Sequence, residues 1–129
     1  MDMFTKEKIC DLIILPDSSS NDYEEHKILK DMGYDILVLD HHEADHYSEN
    51  AIVINNQLSK NYENKSLSGV GVAYKFLEYF EHSFESDLIS TMGEEGMYEA
   101  EGWEPHIQDY IDLVALGEIS DMMNMNTLE

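Results

Sequence analysis

Asp40, His41 and His42 stand in a row directly after the apolar run Ile36-Leu37-Val38-Leu39. A carboxylate and two imidazoles offer oxygen and nitrogen ligands to a divalent ion. Carboxylate favours Mn2+ or Mg2+, and imidazole tilts the choice toward Mn2+, Zn2+ or Fe2+. Asp17 ends an earlier run of the same kind, Leu12-Ile13-Ile14-Leu15-Pro16, and Asp121 follows the last apolar segment. A two-ion site needs a carboxylate that bridges ions about 3.5–4 Å apart and terminal ligands on each side. The donors available at element ends are Asp17, Asp40, His41, His42 and Asp121. The plainer alternative for Asp-His-His alone is a turn or helix cap with solvated imidazoles.

Such residues are useful only if the chain delivers them to one place. Residues 9–16 read as a buried strand, and Ser18-Ser19-Ser20-Asn21 supply capping chemistry for a helix from Asp22 to Met32. Tyr23, His26-Lys27-Ile28-Leu29 and Met32 recur at helical spacing, and Gly33 stands where a C-terminal glycine cap belongs. Residues 35–39 read as a second strand. Strand, short helix and strand joined by brief connections predict a βαβ unit with parallel strands, and side chains at the strand ends then meet at one edge.

Ala51-Ile52-Val53-Ile54-Asn55 is a third strand candidate, and residues 57–66 read as loop. Ser68 to Phe80 predicts a mainly apolar helix entered through Gly69 and Gly71, with Val72, Phe76, Leu77 and Phe80 on one face. Those glycines suit either close packing on the sheet or backbone approach to a phosphate. Residues 83–105 turn acidic and glycine-bearing and read as a surface insertion with a short helix around 87–91. A last helix is expected from Pro105 toward Gly117, carrying Ile107, Tyr110, Ile111, Val114 and Ala115. His46 reads as a solvated loop histidine, and His26, His82 and His106 as surface or helix-partner residues.

The balance of 28 acidic against 7 basic side chains, net charge −21, repels polyanions unless metal ions or a basic segment intervene. The seven lysines are scattered and arginine is absent, so no basic stripe is available for a nucleic-acid backbone. A lone cysteine, Cys10, excludes an internal disulfide and reads as core. No apolar stretch approaches a membrane span and no leader opens the chain. The expected setting is therefore soluble, cytoplasmic and reducing, with no membrane partner.

Four strings, Leu12–Asp17, Asp35–Glu43, Leu67–Leu77 and Tyr110–Met122, resemble consecutive blocks of the DHH phosphoesterase superfamily, closest to RecJ-like single-strand-specific exonucleases. The resemblance runs from about Cys10 to Leu128, interrupted by the acidic stretch 83–105. It implies an α/β fold, a parallel sheet flanked by helices, and one partial DHH domain over 1–129. It also implies Mn2+, or Mg2+, as cofactor and hydrolysis of phosphodiester bonds in single-stranded DNA, in DNA repair and recombination. Position by position, Asp17 matches the aspartate that bridges two ions, and His41 and Asp121 match ligands of one of them. Asp40 and His42 match catalytic residues beside the metals, His42 meeting the scissile phosphate or the attacking water and Asp40 orienting its neighbours.

The family's first motif, an Asp-x-Asp strand end, is not contained in residues 1–9, and the C-terminal substrate-binding domain is not contained before Glu129. The expectation is thus an incomplete domain and an isolated chain of weak or no activity. Two alternatives remain open. One is a phosphodiesterase for short oligonucleotides or cyclic dinucleotides, which the charge favours slightly. The other is a degenerate, non-catalytic acidic module that binds a replication or repair protein. A receiver-like or flavodoxin-like domain shares the sheet pattern but leaves His41 and Asp121 unexplained.

Overall fold

A computed structural model describes residues 9–95 and 106–123. The chain divides into two compact units, 1–63 and 64–129. The first holds strand β1 (Leu12–Pro16), helix α1 (Tyr23–Asp31), strand β2 (Asp35–Asp40) and strand β3 (Ile52–Asn55). The strands form one parallel sheet in the order β1-β2-β3, so the fold is α/β as the βαβ pattern predicts.

Strand β2 is the centre of that sheet. Ile36, Leu37, Val38 and Leu39 are all buried, because a central parallel strand is covered on both faces and therefore reads as an unbroken apolar run. The outer strands alternate: Leu12 and Ile14 on β1, and Ile52 and Ile54 on β3, are exposed. Cys10, expected in the core, is also exposed, because it precedes an edge strand rather than a central one.

Helix α1 packs on β2. It ends in a Schellman arrangement: Gly33 N–H donates to the Lys30 carbonyl and Tyr34 N–H to the Leu29 carbonyl. Gly33 has φ +89°, a conformation that suits glycine, so the cap read from the sequence is present. The helix start differs. The residue before its first turn is Asp22, whose side chain makes no capping bond and accepts instead from Ser19 Oγ at 2.6 Å. The serines are used elsewhere. His26, expected as a surface or helix-partner residue, is wholly buried on α1, and both its ring nitrogens lack hydrogen-bond partners among the described residues.

The second unit contains helix α2 (Gly69–Met92), a 3-10 turn (Ile107–Tyr110) and helix α3 (Ile111–Ser120). Helix α2 runs through Phe84, Leu88 and Met92, so the break expected after Phe80 is absent. Apolar residues continue at helical spacing among the acidic ones, and no glycine or proline intervenes before Gly93. Ser68 caps α2 by accepting from Gly71 N–H at 3.4 Å. Its own N–H and hydroxyl donate to the buried carboxylate of Glu118 on α3, at 3.0 and 2.9 Å. A Cβ on Gly71 would collide with Glu118 Oε1, and one on Gly117 with Val70 Cγ1. Gly71 therefore serves close helix packing, and the last helix reaches past Gly117 to Ser120 after opening as a 3-10 turn. Pro105, the acidic stretch from 96, residues 1–8 and the tail from 124 lie outside the described residues.

Candidate metal centre

Parallel strands end together, and here all three end in a polar side chain. Asp17 follows Pro16 of β1, Asp40 closes β2 and Asn55 closes β3, with Pro16 opposite Leu39 and Asp40 opposite Asn55. Asp17 N–H donates to the Leu39 carbonyl at 2.8 Å, extending the ladder by one step. The residue then turns out of the sheet with φ +58°, a left-handed conformation that aspartate tolerates better than most residues. Its carboxylate is consequently presented to solvent rather than to a strand neighbour.

Asp40 is treated in the opposite way. It is 1% exposed, and both of its oxygens are engaged. Oδ2 accepts from Ser20 N–H at 3.1 Å. Oδ1 accepts from His41 N–H at 2.8 Å and contacts His42 Nδ1 at 2.7 Å. Burial pushes this carboxyl up, but the bonds from His42, Ser20 and the His41 amide outweigh it and hold the group at about 2. Since an ionised carboxylate only accepts, His42 Nδ1 is the protonated nitrogen in this contact.

His41 Nε2 lies 3.3 Å from Asp17 Oδ1, and its side chain is nearly buried whereas that of Asp17 is open. One donor atom each from Asp17, His41 and His42 falls within 4.8 Å of the others. The two imidazoles sit with ring centroids 4.4 Å apart. A mixed carboxylate and imidazole set, one ligand oriented by a buried carboxylate, fits the donor chemistry of Mn2+ or Zn2+. Asp121 belongs to the second unit, where it closes α3 with its N–H on the Gly117 carbonyl at 3.0 Å.

Residues 2–117 match the model of the DHH family, N-terminal domain. This chain belongs to the DHH family. Asp40-His41-His42 is the triplet for which that family is named, and Asp121 lies just beyond the matched span. YorK, a protein of the Bacillus subtilis SPbeta prophage named as a single-strand DNA-specific exonuclease, is 41% identical over 119 residues. The single-stranded-DNA-specific exonuclease RecJ of Haemophilus influenzae is 32% identical over 122 residues, and RecJ of Bacillus subtilis 29% over 123. These matches cover 92–94% of this DHH chain but only 18%, 20% and 13% of the respective relatives. No helix among the described residues is long and apolar enough to cross a membrane.

Two residues of the DHH centre escaped the sequence reading. Ser20 gives its amide to Asp40, and Asn55 Nδ2 donates to Ser20 Oγ at 2.8 Å and to the His42 carbonyl at 2.9 Å. Asn55 Oδ1 in turn accepts from Gln57 N–H at 2.7 Å. Both side chains are buried. The available signal was positional, because a third apolar run ends in a polar residue at the level of Asp17 and Asp40. His46, expected to be solvated, is exposed and stacks on Tyr23 at 4.3 Å.

Proposed function

We propose that this chain contributes the Asp17-His41-His42 part of a Mn2+-dependent phosphoesterase centre that hydrolyses single-stranded DNA from an end. The observation that carries this reading is the Asp40 arrangement, a buried, ionised carboxylate that engages the His42 ring and the His41 backbone N–H, while the His41 ring stands 3.3 Å from the open Asp17 carboxylate. Asp17 and His41 would ligate the ion, with Asp121 as a further ligand in a shell that stays incomplete, and Mg2+ would substitute weakly. A bound divalent ion supplies Lewis-acid stabilisation of phosphoryl oxygens and lowers the pKa of water.

The residues of the chain do the rest. Asp40 fixes the His42 tautomer, so that Nε2 can accept a proton from water or hydrogen-bond the scissile phosphate. Asn55 and Ser20 hold the Asp40 carboxylate and the His42 backbone in place, which limits the motion of the imidazole. Three donors within reach of one another suffice for one ion with an incomplete shell, so the isolated 129 residues are expected to turn over weakly or not at all. Cytoplasmic repair or recombination is the setting this chemistry suits.

A chimera tests the assignment: residues 10–123 replace the matching segment of YorK, with intact YorK as control. It should release nucleotides from a single strand with Mn2+ and spare duplex, and His41→Ala should lower the rate at least about a hundredfold. A folded chimera that prefers a dinucleotide would favour the oligonucleotide reading. One that cuts equally well with His41→Ala would remove His41 from the centre.

A further inference from the structure

Helix α2 presents Glu81 and Glu85 four residues apart, hence on one face, and the chain re-enters beside them at His106. One donor atom from each of the three lies within 4.8 Å of the others. Unlike a solvated acidic patch, this cluster mixes oxygen with nitrogen, and one of its members is fixed. Glu81 is largely buried, and its Oε2 accepts from Ile107 N–H at 3.3 Å.

The other oxygen of Glu81 is the informative atom. Oε1 is buried and has no hydrogen-bond partner among the described residues, although His106 Nδ1 stands 3.4 Å away. That separation is long for a hydrogen bond. It equals the spacing of about 3.4 Å between two ligands of a tetrahedral Zn2+ with bonds of about 2.1 Å. Glu81 Oε1 and His106 Nδ1 are therefore placed as co-ligands, and Glu85 offers a third donor from one helical turn further on. A cavity of about 560 Å³ opens on the cluster, rimmed also by Lys75, Glu78, His82 and Gln108. Lys75 is directed to Glu78 at 3.4 Å.

We propose that Glu81, Glu85 and His106 form a second divalent-metal site, suited to Zn2+, that fastens the chain at His106 to helix α2. All three residues belong to the second unit, so the site does not depend on the Asp17-His41-His42 centre. Zn2+ ranks above Mn2+ for a given nitrogen and oxygen site, and three protein ligands leave its fourth position to water. In a chain of net charge −21 an ion here also relieves the repulsion between two adjacent carboxylates. The ion would tie His106 to the middle of helix α2.

The experiment is calorimetric titration of Zn2+ into the whole chain carrying Asp17→Asn, His41→Ala and His42→Ala, which silences the first centre. One Zn2+ should still bind and raise Tm. Adding Glu85→Gln or His106→Gln should weaken it at least about tenfold, with unchanged helical circular dichroism. A readout independent of these further variants is the ¹⁵N imidazole resonance of His106, which should shift on Zn2+ addition. Absence of bound Zn2+ in the silenced chain, an affinity indifferent to both added substitutions, or a His106 resonance that does not move would overturn the proposal.

Discussion

Asp40 in the first unit and Glu118 in the second are both buried carboxylates bonded to a serine, yet the two arrangements do different work. Glu118 accepts the N–H and hydroxyl of Ser68, and its bonds join one helix to the start of another. Asp40 accepts the N–H of Ser20 and His41 and then engages the ring of His42, a side chain that faces solvent. The first network begins and ends on backbone and serine. The second ends on an exposed imidazole. Burying an ionised group costs energy that hydrogen bonds only offset, so a network that reaches outward is the one whose charge has a use beyond fastening.

That contrast can be broken by substitution. Asp40→Asn should have the largest effect. Its amide cannot accept from both Ser20 N–H and the His41–His42 side, so stability should fall by about 3 kcal/mol in urea titration. Mn2+ affinity should fall about 10–100-fold with it. Gly71→Ala should cost about 2 kcal/mol, since the new methyl meets Glu118 Oε1, while leaving Mn2+ binding unchanged. Glu118→Gln keeps the oxygen nearest Ser68 and should cost about 1 kcal/mol, again without effect on Mn2+.

Acid sharpens the same comparison. The Asp40 carboxyl is held at about 2 in the fold against 3.8 when unperturbed, so its ionised form binds fewer protons folded than unfolded. The associated stability is fully present above about pH 4 and is lost as pH falls toward 2. Chemical unfolding measured across that window should show a stability slope that is shallower in Asp40→Asn than in the parent chain.

The centre was legible where an apolar run stops at a polar residue. Central strand β2 is buried on both faces, so Ile36–Leu39 declared themselves, and Asp40-His41-His42 followed at the edge. The same signal failed for Asn55, because one asparagine after four apolar residues also marks an ordinary turn. Ser20 was read as a cap because serine, aspartate and glycine turns share one vocabulary. Only the fold shows its amide directed 20 residues downstream to Asp40. The acidic residues from 83 point to a surface insertion with a separate short helix around 87–91, whereas helix α2 continues unbroken to Met92. Cys10 is exposed where a core position is expected, because exposure depends on whether a neighbour covers the element, which local composition does not encode.

The central claim is that Asp17 and His41 hold a metal that the buried Asp40 prepares for. Its most direct test is Mn2+ titration, followed by electron paramagnetic resonance, of the whole chain carrying His106→Gln to silence the second cluster. One Mn2+ should bind, and its affinity should drop at least about tenfold with either Asp17→Asn or His41→Ala. A chain that binds no Mn2+, or binds it equally well after both substitutions, would contradict the account.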